Sequence, residues 1–388
     1  MKINYQTALH NIAESLRLYH HLDVDIKEVY GSDFFPSNEV GTDSENVETF
    51  RLRFNPKVLT ILALYNLSME YGYDTGNAVI HYALFHAFLE VRNYAGAERH
   101  LQGFRKEVLA LPITKRSEEE TNNANFQLTV QLLFILFHES FHLILHHEPS
   151  NKQIAHDITL SLLHDIKEEL EYQMSLFSEK ELQNHPEIKA SIDRMIPKDL
   201  SFVERFTMRI AISKYGKENA FTPAFIEEAM QKDTVLMEEI SCDRQAWLNL
   251  LPLFENDGMS NKDVLQLHLW AFTVFNAMDF NKRLLSNYVP ALYEKYHYDG
   301  RKVLLRHKAF KALLRQYSPD VYKIIKKEYV ELHKGLEAIY RSSIMAFKNF
   351  GQDMAEIYAC YRKGFQLPDI KRHTELTRAM EEAADVLV

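Results

Sequence analysis

The segment from Phe126 to Leu145 constrains the fold more than any other part of the chain. It is strongly apolar and about as long as a membrane-spanning helix. It nevertheless carries Gln127, Gln131, His138, Glu139, Ser140 and His142. A carboxylate and two imidazoles near the middle of a bilayer would be costly. The sequence therefore predicts no membrane span here, but a helix from about residue 125 to 147 that is buried in the protein core.

Periodicity along the rest of the chain predicts an α+β fold that is predominantly α-helical. Residues 4–21 repeat apolar positions at helical spacing, whereas residues 22–27 and 50–54 alternate apolar and polar side chains, as short strands do. Residues 31–46 are rich in Gly, Ser, Pro and Asn and are predicted to form a loop. From Pro56 onward the pattern is almost entirely helical, so the β element is small and N-terminal.

The positions of prolines and polar stretches, together with the local composition, predict three regions. Residues 1–115 form an N-terminal α/β part, residues 116–260 a core built around the buried helix, and residues 261–388 a helical C-terminal part. An acid-rich stretch near 150–200 is predicted to be an insertion in the core.

The cysteine content and the N-terminus favour a cytoplasmic protein. Cys242 and Cys360 are far apart, which excludes a disulfide framework and a CxxC metal site. Low cysteine usage fits a reducing compartment. The first residues have no apolar core of the kind that a signal peptide needs.

The buried helix carries the motif His138-Glu139-Ser140-Phe141-His142, which has the HExxH pattern. Residues four apart lie on one helical face, so both imidazoles can reach a single ion. Zinc suits such ligands, and Glu139 directly follows the first of them, where it can act as a catalytic base. The alternative is a hydrogen-bonded His-Glu-His cluster that binds no metal.

A third protein ligand is required, and Glu239 is the best candidate. On a straight helix His146 would lie roughly 12 Å from His138, at about 1.5 Å per residue. Glu148 is disfavoured because residue 145 is a leucine, where one zincin class has a helix-ending glycine. Glu239 falls on the apolar stripe of a helix predicted over 234–251.

Asp243 shares that stripe with Glu239, whereas Glu238 falls on the opposite face. Two acids on an apolar stripe are costly unless a positive group meets them. That group would be a metal ion or, in the alternative reading, the partner of a salt-bridged helix pair.

HExxH on one helix followed by ExxxD on a later one resembles the glutamate-type zincins, the group that includes thermolysin. The resemblance covers these two short motifs. It implies that Glu239 is the third zinc ligand and that Asp243 hydrogen-bonds the outer nitrogen of His142. Together with an intracellular setting, the motifs also resemble the bacterial phage-exclusion peptidases typified by Lit. By family analogy, residues 49–54 would form the strand edge that aligns an extended peptide.

His268 and Cys242 are two further candidates for the site. His268 is a candidate for stabilising an oxyanion, although a core histidine is the commoner role. Cys242 lies beside Glu239 but has no base next to it in sequence, so a packing role is predicted.

These observations predict a zinc-dependent peptidase that acts on a protein or peptide substrate, with a regulatory partner that restrains it. The alternative is a non-catalytic, zinc-stabilised sensor or interaction protein with a basic C-terminal surface. Residues 301–348 contain twelve Lys or Arg against four acids in a chain of net charge −9. A solvated helical face explains this excess more simply than nucleic acid, for which no motif is present.

Overall fold

A computed structural model gives the fold of this protein. It describes the following residues: 5–30, 34–44, 47–71, 76–111, 117–176, 186–196, 200–218, 221–252, 264, 266–271, 273–275, 277–278, 300–317, 319–320, 322–323, 349–364, 367–385 and 387. The architecture is predominantly α-helical with one small sheet, which confirms the predicted α+β class.

Contacts divide the chain into two compact units. The first contains residues 1–143, 273–298 and 342–388, and the second contains residues 144–272 and 299–341. The predicted division into three regions stays a prediction.

The first unit begins with helix α1 (Tyr5–His20) and a three-stranded sheet of β1 (Val24–Glu28), β2 (Ser37–Thr42) and β3 (Glu48–Phe54). Strand β3 lies in the centre, parallel to β1 and antiparallel to β2. The predicted alternation holds in β3, since Phe50, Leu52 and Phe54 are buried. Helix α1 packs against β1.

Two predictions about the sheet are wrong. Residues 31–46 are not entirely loop, because they contain β2, whose exposed sequence lacks an apolar alternation. Residues 49–54 do not form an open edge, because β3 is paired on both sides. The edge strands among the described residues are β1 and β2.

Helices α2 (Val58–Tyr71), α3 (Gly76–Glu90) and α4 (Tyr94–Ala110) follow the sheet. The turn between α3 and α4 places Arg92 at a φ of 58°, and the side chain of Asn93 caps α4 by accepting from the Gly96 backbone N–H. The two helices approach closely at Gly103, where a Cβ atom would clash with the ring of His81. Helix α12 (Ile370–Ala384) packs against α4.

Helix α5 (Glu118–His147) contains the HExxH motif. It begins with a capping box in which Ser117 and Glu120 exchange hydrogen bonds. It is the one helix among the described residues that is long and apolar enough to cross a membrane, but 72% of its most apolar window is buried inside the protein. That burial is consistent with the predicted core helix of a soluble protein.

The second unit is helical wherever the structure describes regular elements. They are α6 (Pro149–Ser175), α7 (Pro186–Met195), α8 (Phe202–Glu218), α9 (Pro223–Lys232), α10 (Thr234–Leu250) and α11 (Gly300–Tyr317). As predicted, α9 starts with Thr222 as N-cap and proline at the first turn. Helix α10 packs against α6 and α11, and its Trp247 is fully buried.

Candidate metal centre

Helix α5 brings His138 and His142 together at its buried face. Their Nε2 atoms lie 3.2 Å apart and their ring centroids 5.0 Å apart. This arrangement follows from the four-residue spacing on a continuous helix. His138 is buried, whereas His142 is partly exposed.

Glu239 of α10 completes a group that could hold a metal ion. One nitrogen from each histidine and one carboxylate oxygen of Glu239 all lie within 4.8 Å of one another. The structure thus assembles the three residues that the two sequence motifs single out. Their role as ligands stays a prediction, as do the exclusions of His146 and Glu148, neither of which belongs to this group.

The donor set fits a divalent ion such as zinc. Nitrogen ligands at about 2.0–2.1 Å from a tetrahedral zinc ion are separated by roughly 3.3 Å. The measured distance between the two Nε2 atoms, 3.2 Å, is close to this value. Two imidazoles and one carboxylate leave a fourth position for water, as catalytic zinc sites do.

Glu139 lies beside the histidines on α5 and is held by strand β2. Its Oε2 atom accepts a hydrogen bond from the Asn38 backbone N–H at 3.1 Å and another from the Asn38 side-chain amide at 2.8 Å. Glu139 is only 7% exposed, so these two donors satisfy a carboxylate that has little contact with water. Sequence reasoning missed Asn38 because it lies in the segment predicted to be a loop.

Asp243 meets a cation that the motifs do not reveal. Arg306 of α11 donates two hydrogen bonds to Asp243, at 2.7 and 2.8 Å, and its third nitrogen lies 2.7 Å from Glu239 Oε2. Burial lowers the pKa of Arg306, but Asp243 and Glu239 outweigh it and raise the pKa above its ordinary value. Arg306 is therefore a positive group of the kind expected beside the two acids.

The predicted hydrogen bond from Asp243 to the outer nitrogen of His142 stays a prediction. Asp243 is buried, as the stripe predicts, and Glu239 is partly exposed. Glu238 is paired instead with Lys152 at 2.9 Å. Arg306 could not be singled out from sequence because it is one of many cations in residues 301–348.

His268 and Cys242 both lie in the core of the second unit. His268 stacks on Phe310 with ring centroids 4.6 Å apart and meets Trp247 edge-on at 5.3 Å. Burial lowers the pKa of His268 to about 3, so the ring is neutral at physiological pH. Cys242 is fully buried, which accords with the predicted packing role.

Comparison with known proteins leaves the family open. No protein-family model, curated protein or solved structure matches this chain. The resemblance to the glutamate-type zincins therefore rests on the two motifs and on the His-His-Glu group that they form.

Proposed function

We propose that this protein is a zinc-dependent peptidase of the glutamate-type zincin class, similar to the phage-exclusion peptidases typified by Lit. The observation that carries the proposal is the group formed by His138, His142 and Glu239, with Glu139 next to the first histidine. A divalent ion at this group would compensate the partly buried carboxylate of Glu239. Cys242 and Cys360 form no disulfide, in keeping with the cytoplasmic location that we propose.

The chemistry of the proposed site divides between the ion and Glu139. A bound zinc ion supplies Lewis acidity, which polarises a peptide carbonyl and makes water a stronger acid. Because Asn38 occupies Oε2 of Glu139, Oε1 takes the proton of the attacking water. Glu139 then delivers that proton to the leaving amine.

Strand β2 replaces β3 as the proposed binding edge for an extended peptide. It pairs with β3 on one side, and its residue Asn38 meets the catalytic base. A peptide that adds to this edge would gain main-chain hydrogen bonds, and its scissile bond would be held near Glu139. A regulatory partner that restrains such a peptidase belongs to the same proposal.

The first experiment measures the metal content of the purified protein and of matched variants. We expect one equivalent of zinc in the parent and its loss in His142→Ala and Glu239→Ala. The controls are His146→Ala, an exposed histidine of the same helix, and Glu238→Ala, the acid next to Glu239. Both controls should keep the metal. A parent without stoichiometric metal, or equal metal loss in the controls, would reject the site.

The second experiment tests catalysis through Glu139→Gln. Glutamine keeps the shape of the side chain but cannot accept the proton, so zinc should stay bound while turnover is abolished. Because the substrate is undefined, new protein N-termini are compared in cells that express the parent or the variant. If the two sets of N-termini are identical, the protein is not a peptidase.

A zinc-stabilised interaction protein is the second candidate, and the contact between Arg306 and Glu239 favours it. A carboxylate that is fixed by an arginine is well suited to a closed, structural site. X-ray absorption of the zinc-loaded protein distinguishes the two, because four protein ligands would leave no position for water.

A further inference from the structure

Helix α11 contributes three cations to one recess in the second unit. Lys308, Lys311 and Arg315 are spaced so that they share a helical face, and Tyr322 and Glu169 complete the polar lining. The recess has a volume of about 50 Å³ and is partly open. A single water molecule needs about 10–15 Å³ of such a cavity, so the recess can take an ion with several oxygen atoms.

Other cations of α11 have close carboxylate partners. Lys302 is paired with Asp233 at 2.6 Å, and Arg306 is paired with Asp243 at 2.7 Å. Arg315 contacts Glu169 at 3.3 Å, which places its guanidinium at the mouth of the recess. Lys302 and Arg306, which do not line the recess, are thus each paired with an acid.

Lys308 differs from these cations. Its ammonium lies over the ring of Phe221, 5.4 Å from the centroid, and none of the carboxylates that the structure describes is within ion-pair distance. Burial lowers the pKa of Lys308, which the more distant Glu169 opposes only in part. A cation withdrawn from water is costly unless an anion compensates it.

Lys311, on the same face of α11, also contacts an aromatic ring. Its ammonium lies 5.6 Å from the ring centroid of Tyr322. Contacts with aromatic faces orient the ammonium groups of the two lysines. Three cations against one carboxylate give the recess a formal charge of +2.

We propose that this recess binds a small ligand through a phosphate group, with Lys308, Lys311 and Arg315 as the donors. A phosphate monoester carries a charge of about −1.5 to −2 at neutral pH, which matches the lining. Its oxygen atoms accept the strong, charge-assisted hydrogen bonds that these side chains donate. Glu169 keeps Arg315 oriented at the edge of the site. This proposal does not depend on the metal centre.

The test is titration calorimetry of the full-length protein with inorganic phosphate, at constant ionic strength set by sodium chloride. We expect saturable binding of one phosphate per chain. Lys308→Gln and Lys311→Gln should each weaken it at least tenfold. Lys323→Gln is the control, because Lys323 is exposed and paired with Asp320, three residues before it in the chain. Its affinity should equal that of the parent.

A second variant keeps the test decisive if Lys308→Gln fails to fold. Ala312 lines the recess, so Ala312→Glu would place a carboxylate among the cations and should abolish phosphate binding in a folded protein. Absence of saturable binding to the parent, or unchanged affinity in all three recess variants, would overturn the proposal. So would tighter binding of a phosphoserine peptide than of inorganic phosphate or adenosine monophosphate, because the ligand would then be a protein.

Discussion

Replacing Arg306 with methionine tests the electrostatic arrangement around the two acids of α10. Arg306 is 12% exposed and Asp243 is 3% exposed, and the two are joined by paired hydrogen bonds. Methionine approximates the apolar stem of the arginine side chain but lacks the guanidinium and its charge. Asp243 would then be a buried carboxylate that has lost its principal donor.

The expected loss of stability follows from those contacts. A hydrogen bond to a charged group contributes about 1.5–3 kcal/mol, and Asp243 loses two. Removal of one partner of a buried ion pair costs about 3–5 kcal/mol, which agrees with that sum. Glu239 is 27% exposed and adds little, because water can solvate it. We therefore expect a loss of about 3–5 kcal/mol, or roughly 6–20 °C in the unfolding midpoint of a unit of this size.

Tryptophan fluorescence during urea unfolding is the appropriate assay. The chain has two tryptophans, Trp247 and Trp270, and both belong to the second unit, so the signal reports the part of the protein that contains Arg306. The measurement is made in EDTA and without phosphate, which keeps metal and anion binding out of the result.

Arg315→Met is the matched control on the same helix. Arg315 and Glu169 are 57% and 45% exposed, so their single contact should contribute less than about 1 kcal/mol. The double variant Asp243→Leu, Arg306→Met should recover most of the lost stability, because no buried charge remains. If Arg306→Met costs no more than Arg315→Met, the reasoning about this buried ion pair is wrong.

Three further predictions concern other parts of the molecule. Asn38→Ala removes one charge-assisted bond to Glu139, so turnover should fall about tenfold or more at unchanged zinc content, and an unchanged rate would dismiss Asn38 as a positioning residue. Because burial holds the pKa of His268 at about 3, the folded chain binds fewer protons than the unfolded chain below pH 6.5. His268 should therefore contribute a loss of roughly 1.4 kcal/mol per pH unit from about pH 6 towards pH 4, in addition to the loss from the other histidines whose pKa burial lowers. His268→Phe should reduce the slope by that amount, whereas the exposed His164→Phe should leave it unchanged. Gly103→Ala should destabilise the first unit by about 1–3 kcal/mol because its Cβ would meet the ring of His81, whereas Gly351→Ala, with nothing within 4 Å, should not; equal effects would contradict this packing.

The helices were predictable from sequence because their apolar positions repeat with the helical period. Helix α10 begins at the predicted residue 234, where Asp233 caps it, and ends one residue before the predicted end, shortly before Pro252. Helix α5 begins earlier than the apolar pattern indicates. Its first two turns are polar and exposed, and a capping box at Ser117 stabilises them rather than burial.

Strand β2 was not predictable for the opposite reason. Its residues are mostly exposed, so burial imposes no alternation of apolar side chains. It is a strand because β3 offers it hydrogen-bonding partners, and such pairing depends on the assembled sheet. The same dependence hid Asn38, whose contact with Glu139 joins residues that are 101 positions apart.

The residues of the candidate site also differ in how far the sequence predicts them. His138, Glu139 and His142 are fixed by local helix geometry, so a short motif is enough to find them. Arg306 reaches Asp243 across 63 positions, and no spacing rule connects the two. The buried acid could be predicted from the apolar stripe, but the identity of its partner could not.

The contact between Arg306 and Glu239 is compatible with metal binding and prepares the carboxylate for it. A carboxylate has two oxygens with about four acceptor positions, so Oε2 can remain on Arg306 while Oε1 faces an ion. Arg306 cannot lose its proton, and its single charge is shared between Glu239 and Asp243, which leaves this cluster with a net charge of −1. A cation therefore still gains from approaching Glu239, and it meets a carboxylate that the ion pair with Arg306 already orients.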